Sequence, residues 1–135
     1  MTQCEELREE YLKEVEELIE VWKKKANILE LEGANDEAIF ENIKINIGEI
    51  FCTLFNVSYK KSVKNNEDDK NNFQRMVKSY FEFFDKIPAP WKEKMAKDKE
   101  FHMDEEYYKE QIKLETSELI KNIFIKNYDK FFMEV

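Results

Sequence analysis

Between Gln3 and Leu31 apolar residues recur at Leu7, Tyr11, Val15, Leu18, Trp22 and Leu29, with Ile19 and Ala26 beside them and Glu and Lys between. This three-and-four spacing predicts an amphipathic helix. Gly33 is placed to end it, because glycine accepts the left-handed conformation beyond a helix C-terminus. A second helix is expected from Asn35, whose side-chain oxygen can cap it and whose successors Asp36 and Glu37 complement its dipole. Its face runs through Ile39, Ile43, Ile47, Ile50, Leu54 and Val57, widened by Phe40, Phe51 and Phe55. The apolar arc spans roughly 160°, wider than one neighbour requires. The helix is therefore either central or meets a partner, and Phe40, Ile47 and Phe51 are the candidate interface residues.

Residues 64–72 (KNNEDDKNN) carry no periodicity and read as a solvated linker. Glu67, Asp68 and Asp69 lack the alternate spacing and glycine of a calcium loop. A third helix follows with Phe73, Met76, Val77, Tyr80, Phe81, Phe84 and Ile87 inward, until Pro88 and Pro90 interrupt it. Pro90 then opens a short helix from Trp91 to about Glu100. Asp104 is the expected cap of a last helix, running to about Phe131 with Tyr108, Ile112, Leu119, Ile123 and Phe124 inward. Met103 and Tyr108 are spaced as a hydrophobic staple at its start.

Shifting the chain by 69 positions superposes these patterns without a gap. Identical pairs include Trp22/Trp91, Lys25/Lys94, Glu41/Glu110, Lys44/Lys113, Phe55/Phe124 and Tyr59/Tyr128, and Tyr11/Tyr80 extends the match upstream. The fold expected is all-α: a four-helix bundle of two tandem helical hairpins, about 3–63 and 73–132, related by an internal duplication within a single helical domain over 1–135. A dimer that swaps hairpins between chains uses the same pattern.

Composition narrows the function. Charged residues make up 39%, mean hydropathy is −0.73, and the formal charge is −8. That charge repels phosphate backbones and anionic lipid, so neither nucleic acid nor a membrane surface is an expected partner. No run approaches the roughly 20 apolar residues of a membrane span, and the expected location is the cytoplasm. Cys4 and Cys52 stand far apart without a CxxC spacing, and His102 is the lone histidine, expected as a half-buried filler. Two Glu-x-x-His motifs of a bundle di-iron site need two histidines. No metal, cofactor or catalytic residue is expected, and no enzymatic chemistry is assigned.

The matched residues of the two long helices form the candidate seam. Glu41, Lys44 and Tyr59 on one side, and Glu110, Lys113 and Tyr128 on the other, are the candidate ligand-binding residues. Gly48 and Ser117 between them suggest a close crossing, with Glu41 reaching Lys113 and Glu110 reaching Lys44. Two functions follow as expectations. The first is a non-enzymatic protein–protein interaction or adaptor protein, acting on a protein partner or as a homodimer. The alternative is a bundle that binds a small molecule at the seam of helices two and four.

Overall fold

The computed structural model describes residues 1–132, so the last three positions of the expected domain lie outside the described residues. Five helices follow one another: α1 (Gln3–Leu31), α2 (Asn35–Ser62), α3 (Asp69–Lys86), α4 (Ala89–Glu100) and α5 (Asp104–Phe132). Among the described residues there is no strand. The chain is a helical bundle whose third leg is divided into α3 and α4. The division falls at Ile87–Pro88, and α4 starts two residues before the expected Trp91, with Pro90 in its first turn, where a missing N–H costs nothing.

The buried face of α1 is Cys4, Leu7, Tyr11, Val15, Ile19, Trp22 and Ala26, close to the expected stripe. Phe73, Met76, Val77, Tyr80 and Phe84 of α3 are likewise buried. For the two long partners the stripe is displaced. On α2 the buried positions are Ala38, Glu41, Ile47, Gly48, Phe51, Phe55, Ser58 and Ser62, while Ile39 and Val57, expected inward, are exposed. On α5 they are Glu110, Thr116, Ser117, Ile120, Phe124, Asn127 and Phe131, and Tyr108 and Leu119 are exposed. The cause is close packing. Gly48 faces α1, and a β-carbon added there would sit 2.8 Å from Ile19 Cγ1 and 3.4 Å from Trp22 Cζ3. The small residue thus makes room for α1 side chains, and not for the backbone of the last helix as the seam hypothesis required.

At the middle of the bundle the rings of Tyr11, Phe55, Tyr80 and Phe124 pack edge to face or tilted at centroid distances of 4.8–6.1 Å. Phe51 stacks flat on Phe84 at 4.6 Å. Edge-to-face geometry sets the positive rim of one ring against the negative face of the next. At the rim, Lys126 and Lys130 of α5 reach Glu14 and Glu10 of α1 at 2.8 and 2.7 Å.

The expected linker is shorter and more ordered than its composition suggested, because α3 begins at Asp69 with Asp68 as its cap. Asn72, buried, accepts the Lys64 N–H and donates to the Lys64 carbonyl. Arg75 donates to the Ser62 carbonyl and pairs with Glu67. These two side chains clasp the connector to the start of α3.

Gly33 ends α1 at φ +79°, as expected, and His102 holds the corresponding turn between α4 and α5 at φ +57°. The two positions are 69 apart. His102 is exposed, not half-buried, so its strain is not offset by packing. Left-handed geometry costs a residue with a β-carbon about 1–2 kcal/mol, and glycine returns part of that gain as unfolded-state entropy. His102→Gly is therefore expected to raise the unfolding free energy by about 0.5–1 kcal/mol. A urea midpoint that rises at constant slope checks this. Asn35 and Asp104 are the first residues of their helices and not caps; Ala34 precedes α2 without a side-chain capping bond.

Candidate functional site

The six seam residues do not converge. Glu41 is 4% exposed and Glu110 2% exposed, and each is neutralised inside its own hairpin. Glu41 Oε1 meets Lys44 at 3.2 Å and Lys25 of α1 at 3.3 Å. Glu110 Oε1 meets Lys113 at 3.1 Å and Lys94 of α4 at 3.7 Å. The expected cross pairs, Glu41 with Lys113 and Glu110 with Lys44, are replaced by this arrangement. Its reason is reach: a lysine three positions along the same helix and one on the adjoining helix both approach without crossing the core. A buried carboxylate requires such cations, since desolvation alone would disfavour its charged form. The other oxygens, Glu41 Oε2 and Glu110 Oε2, are buried without a hydrogen-bond partner in the protein.

Tyr59 stands 18 positions from Glu41 on one helix, about 27 Å along its axis, and Tyr128 stands equally far from Glu110. One small pocket cannot be lined by both ends. Tyr59 is half-buried beneath the Arg8 guanidinium, 4.9 Å from its ring centroid. It borders an open groove of about 730 Å³ with Met1, Glu5, Arg8 and Lys13. Burial pushes the Tyr59 hydroxyl above its ordinary range. Tyr128 packs against Phe73 and Phe132 at 5.8 and 5.1 Å, and those two rings lie 6.5 Å from each other.

Two of the three interface candidates are core. Ile47 is 1% and Phe51 0% exposed, because α1, α3 and α5 cover α2 within the same chain. Only Phe40 remains at the surface, half-buried, with its ring 6.1 Å from that of Tyr108.

That contact fixes the geometry of a different surface. Phe40 lies near the start of α2 and Tyr108 near the start of α5, so the α1–α2 and α4–α5 turns stand at the same end of the bundle. Around them large apolar side chains face solvent: Leu31 is 89%, Phe101 69%, Tyr108 58% and Met103 51% exposed. Backbone bonds hold both turns, from Ala34 N–H to the Leu29 carbonyl at 2.8 Å and from Met103 N–H to the Asp98 carbonyl at 2.8 Å. Apolar side chains on a braced turn do not withdraw by local collapse. Sequence periodicity could not show this, because Leu31, Phe101 and Met103 fall outside or at the ends of the periodic runs.

The most buried polar pair belongs to the core. The Tyr11 and Tyr80 hydroxyls lie 2.5 Å apart, and Tyr80 donates to the Phe51 carbonyl at 3.0 Å. With its one proton so used, Tyr80 accepts from Tyr11. Burial raises both phenols well above their usual range. Burial likewise pushes the Cys4 thiol up to about 12 and the Cys52 thiol up to about 11, which disfavours the thiolate needed for nucleophilic attack. Among the described residues no helix is long and apolar enough to cross a membrane, and no group of three acidic, Cys or His side chains is placed to hold a metal ion.

The chain matches no known protein family, no curated protein and no solved structure in the comparisons made with each.

Proposed function

We propose that this chain is a non-enzymatic protein-interaction module that works through the end of the bundle carrying both hairpin turns. The observation that supports this is the set of large side chains exposed there on the braced turns and the helix ends beside them, Leu31, Phe101, Met103 and Tyr108. Single exposed apolar residues are commonplace, but several gathered at one end point to a contact surface. Aromatic and Met side chains are also the types enriched where proteins meet. The adaptor role replaces the wide face of α2 with this end as the working surface. We read the 69-residue offset as the trace of an internal duplication. The left-handed Gly33 and His102, the Lys25–Glu41–Lys44 and Lys94–Glu110–Lys113 clusters, and the Tyr11–Tyr80 pair all support it.

Site-specific photo-crosslinking in the native cell tests the interaction reading. A benzophenone side chain placed at position 101 is expected to give a discrete heavier adduct, while the same group at the exposed Asn66, in the connector between α2 and α3, gives none. Equal adducts from both positions, or none from position 101, would overturn it.

A further inference from the structure

We infer that the exposed end of the bundle receives a basic amphipathic segment of another protein, one that presents large apolar side chains flanked by Lys or Arg. The inference rests on the interaction reading above and adds the chemistry of the partner. Its ground is the distribution of charge. Residues 28–39 and 97–108, the two turns with their flanking helix ends, hold nine acidic residues against two lysines. With Lys94 and Lys109, which pair with Asp98, Glu105 and Glu106, counted among them, the end carries a net −5. Glu30, Glu32, Asp36, Glu37, Asp104 and Glu105 are all exposed around the apolar side chains.

Helix dipoles do not cancel this field. The N-termini of α2 and α5 and the C-termini of α1 and α4 meet at this end, so their partial charges of about +0.5 and −0.5 offset one another. The opposite end differs. Residues 1–8, 59–75 and 128–132 hold six acidic and seven basic residues, a net +1. The two ends of the bundle thus differ in charge; the other acidic surface is the outer face of α1 between Glu5 and Glu20, which lacks the large apolar side chains gathered at the turns.

This polarity selects among occupants. A second copy docking end to end would set this net −5 against another −5, and like charges facing each other across an interface disfavour it. Nucleic acid and anionic lipid are repelled for the same reason. A segment with Lys or Arg beside Leu, Phe or Met satisfies both features, because its apolar side chains cover Leu31, Phe101 and Met103 while its cations meet the rim.

The test uses the full chain and a short helical peptide composed of Leu and Lys, with a Leu and Glu peptide of the same pattern as control. Binding is followed by backbone amide NMR shifts and by anisotropy of the labelled peptide. The Leu and Lys peptide is expected to shift residues 28–40 and 97–108 selectively and to weaken as salt is raised. The L31S/F101S double variant, at exposed positions and checked for an unchanged melting temperature, is expected to weaken it by about tenfold or more, while the Leu and Glu peptide leaves the spectrum unchanged. Shifts spread over the whole bundle, equal affinity for the double variant, binding of the Leu and Glu peptide, or self-association through this end in sedimentation would each overturn the inference. An adduct at position 101 whose crosslinked partner segment is acidic or uncharged would overturn it while leaving the interaction reading intact. Absence of any adduct at that position sinks the interaction reading itself.

Discussion

Phe124→Ala is expected to lower the unfolding free energy by about 3–5 kcal/mol, the range for truncating a fully buried aromatic. Its ring is 0% exposed and lies 4.8 Å from Tyr80, 5.1 Å from Tyr11 and 5.2 Å from Phe81, with Phe55 and Phe84 at 6.1 and 6.5 Å. Those neighbours come from α1, α2 and α3, so no single helix can move in to fill the space. The comparison that gives the number meaning is Leu119→Ala on the same helix. Leu119 is 44% exposed, and its truncation is expected to cost about 0.5 kcal/mol or less. Urea unfolding of both variants checks this. A loss below about 1.5 kcal/mol at Phe124, well short of the truncation range, would mean that the ring cluster does not hold the two hairpins together.

The contrast between these two residues shows how far the sequence could be followed. Both were expected inward, since Phe124 and Leu119 fit one broad apolar arc. What separates them is the choice of centre for that arc, and the choice is made by Ser117, Thr116 and Glu110, polar residues that the structure buries. Hydrophobic periodicity reads these as surface. Their burial depends on partners one helix away, such as Lys94 for Glu110, and local spacing does not encode those. Helix order, the Gly33 stop and the Pro88 break were legible because each is decided by backbone chemistry within a few residues. The stripe of α1 was legible too, because its polar residues all lie outside. The seam failed for a geometric reason already present in the numbering: 18 helical residues cannot border one small pocket. The exposed end was not legible because Phe101 and Met103 sit in a turn and Leu31 at a helix end, where periodicity carries little signal, and because the periodicity of α5 turned Tyr108 inward.

Tyr80→Phe is expected to cost about 2 kcal/mol, and Tyr11→Phe about 1 kcal/mol, although both rings are equally buried. The difference follows from the direction of the hydrogen bond. Removing the Tyr80 hydroxyl leaves that of Tyr11 in the core without its acceptor, whereas removing that of Tyr11 leaves Tyr80 still donating to the Phe51 carbonyl. The double variant is expected to cost less than the sum, because it strands no hydroxyl. A larger loss for Tyr11→Phe would show that the bond runs the other way.

Alkaline titration gives a second measure of the pair. Both folded-state values lie above the ordinary phenol value of 10.0, so above that pH the unfolded chain releases protons that the folded chain keeps. Stability from this source is fully present below pH 10.0 and is lost as pH rises beyond it. Each Tyr→Phe change is expected to make that decline shallower, and an unchanged slope in the double variant would place its origin elsewhere.

The clasp formed by Asn72 and Arg75 bears on how the halves find each other. A free tether of this length would let one hairpin sample a wide volume, whereas a connector bonded at Ser62 and Lys64 keeps the start of α3 against the end of α2. Each half then meets the other at an effective concentration on the order of millimolar or above. Hairpins of separate molecules meet only at the concentration of the protein itself. Pairing within one chain is thereby favoured over exchange between chains at ordinary protein concentrations, and the clasp that orders six connector residues contributes to that preference.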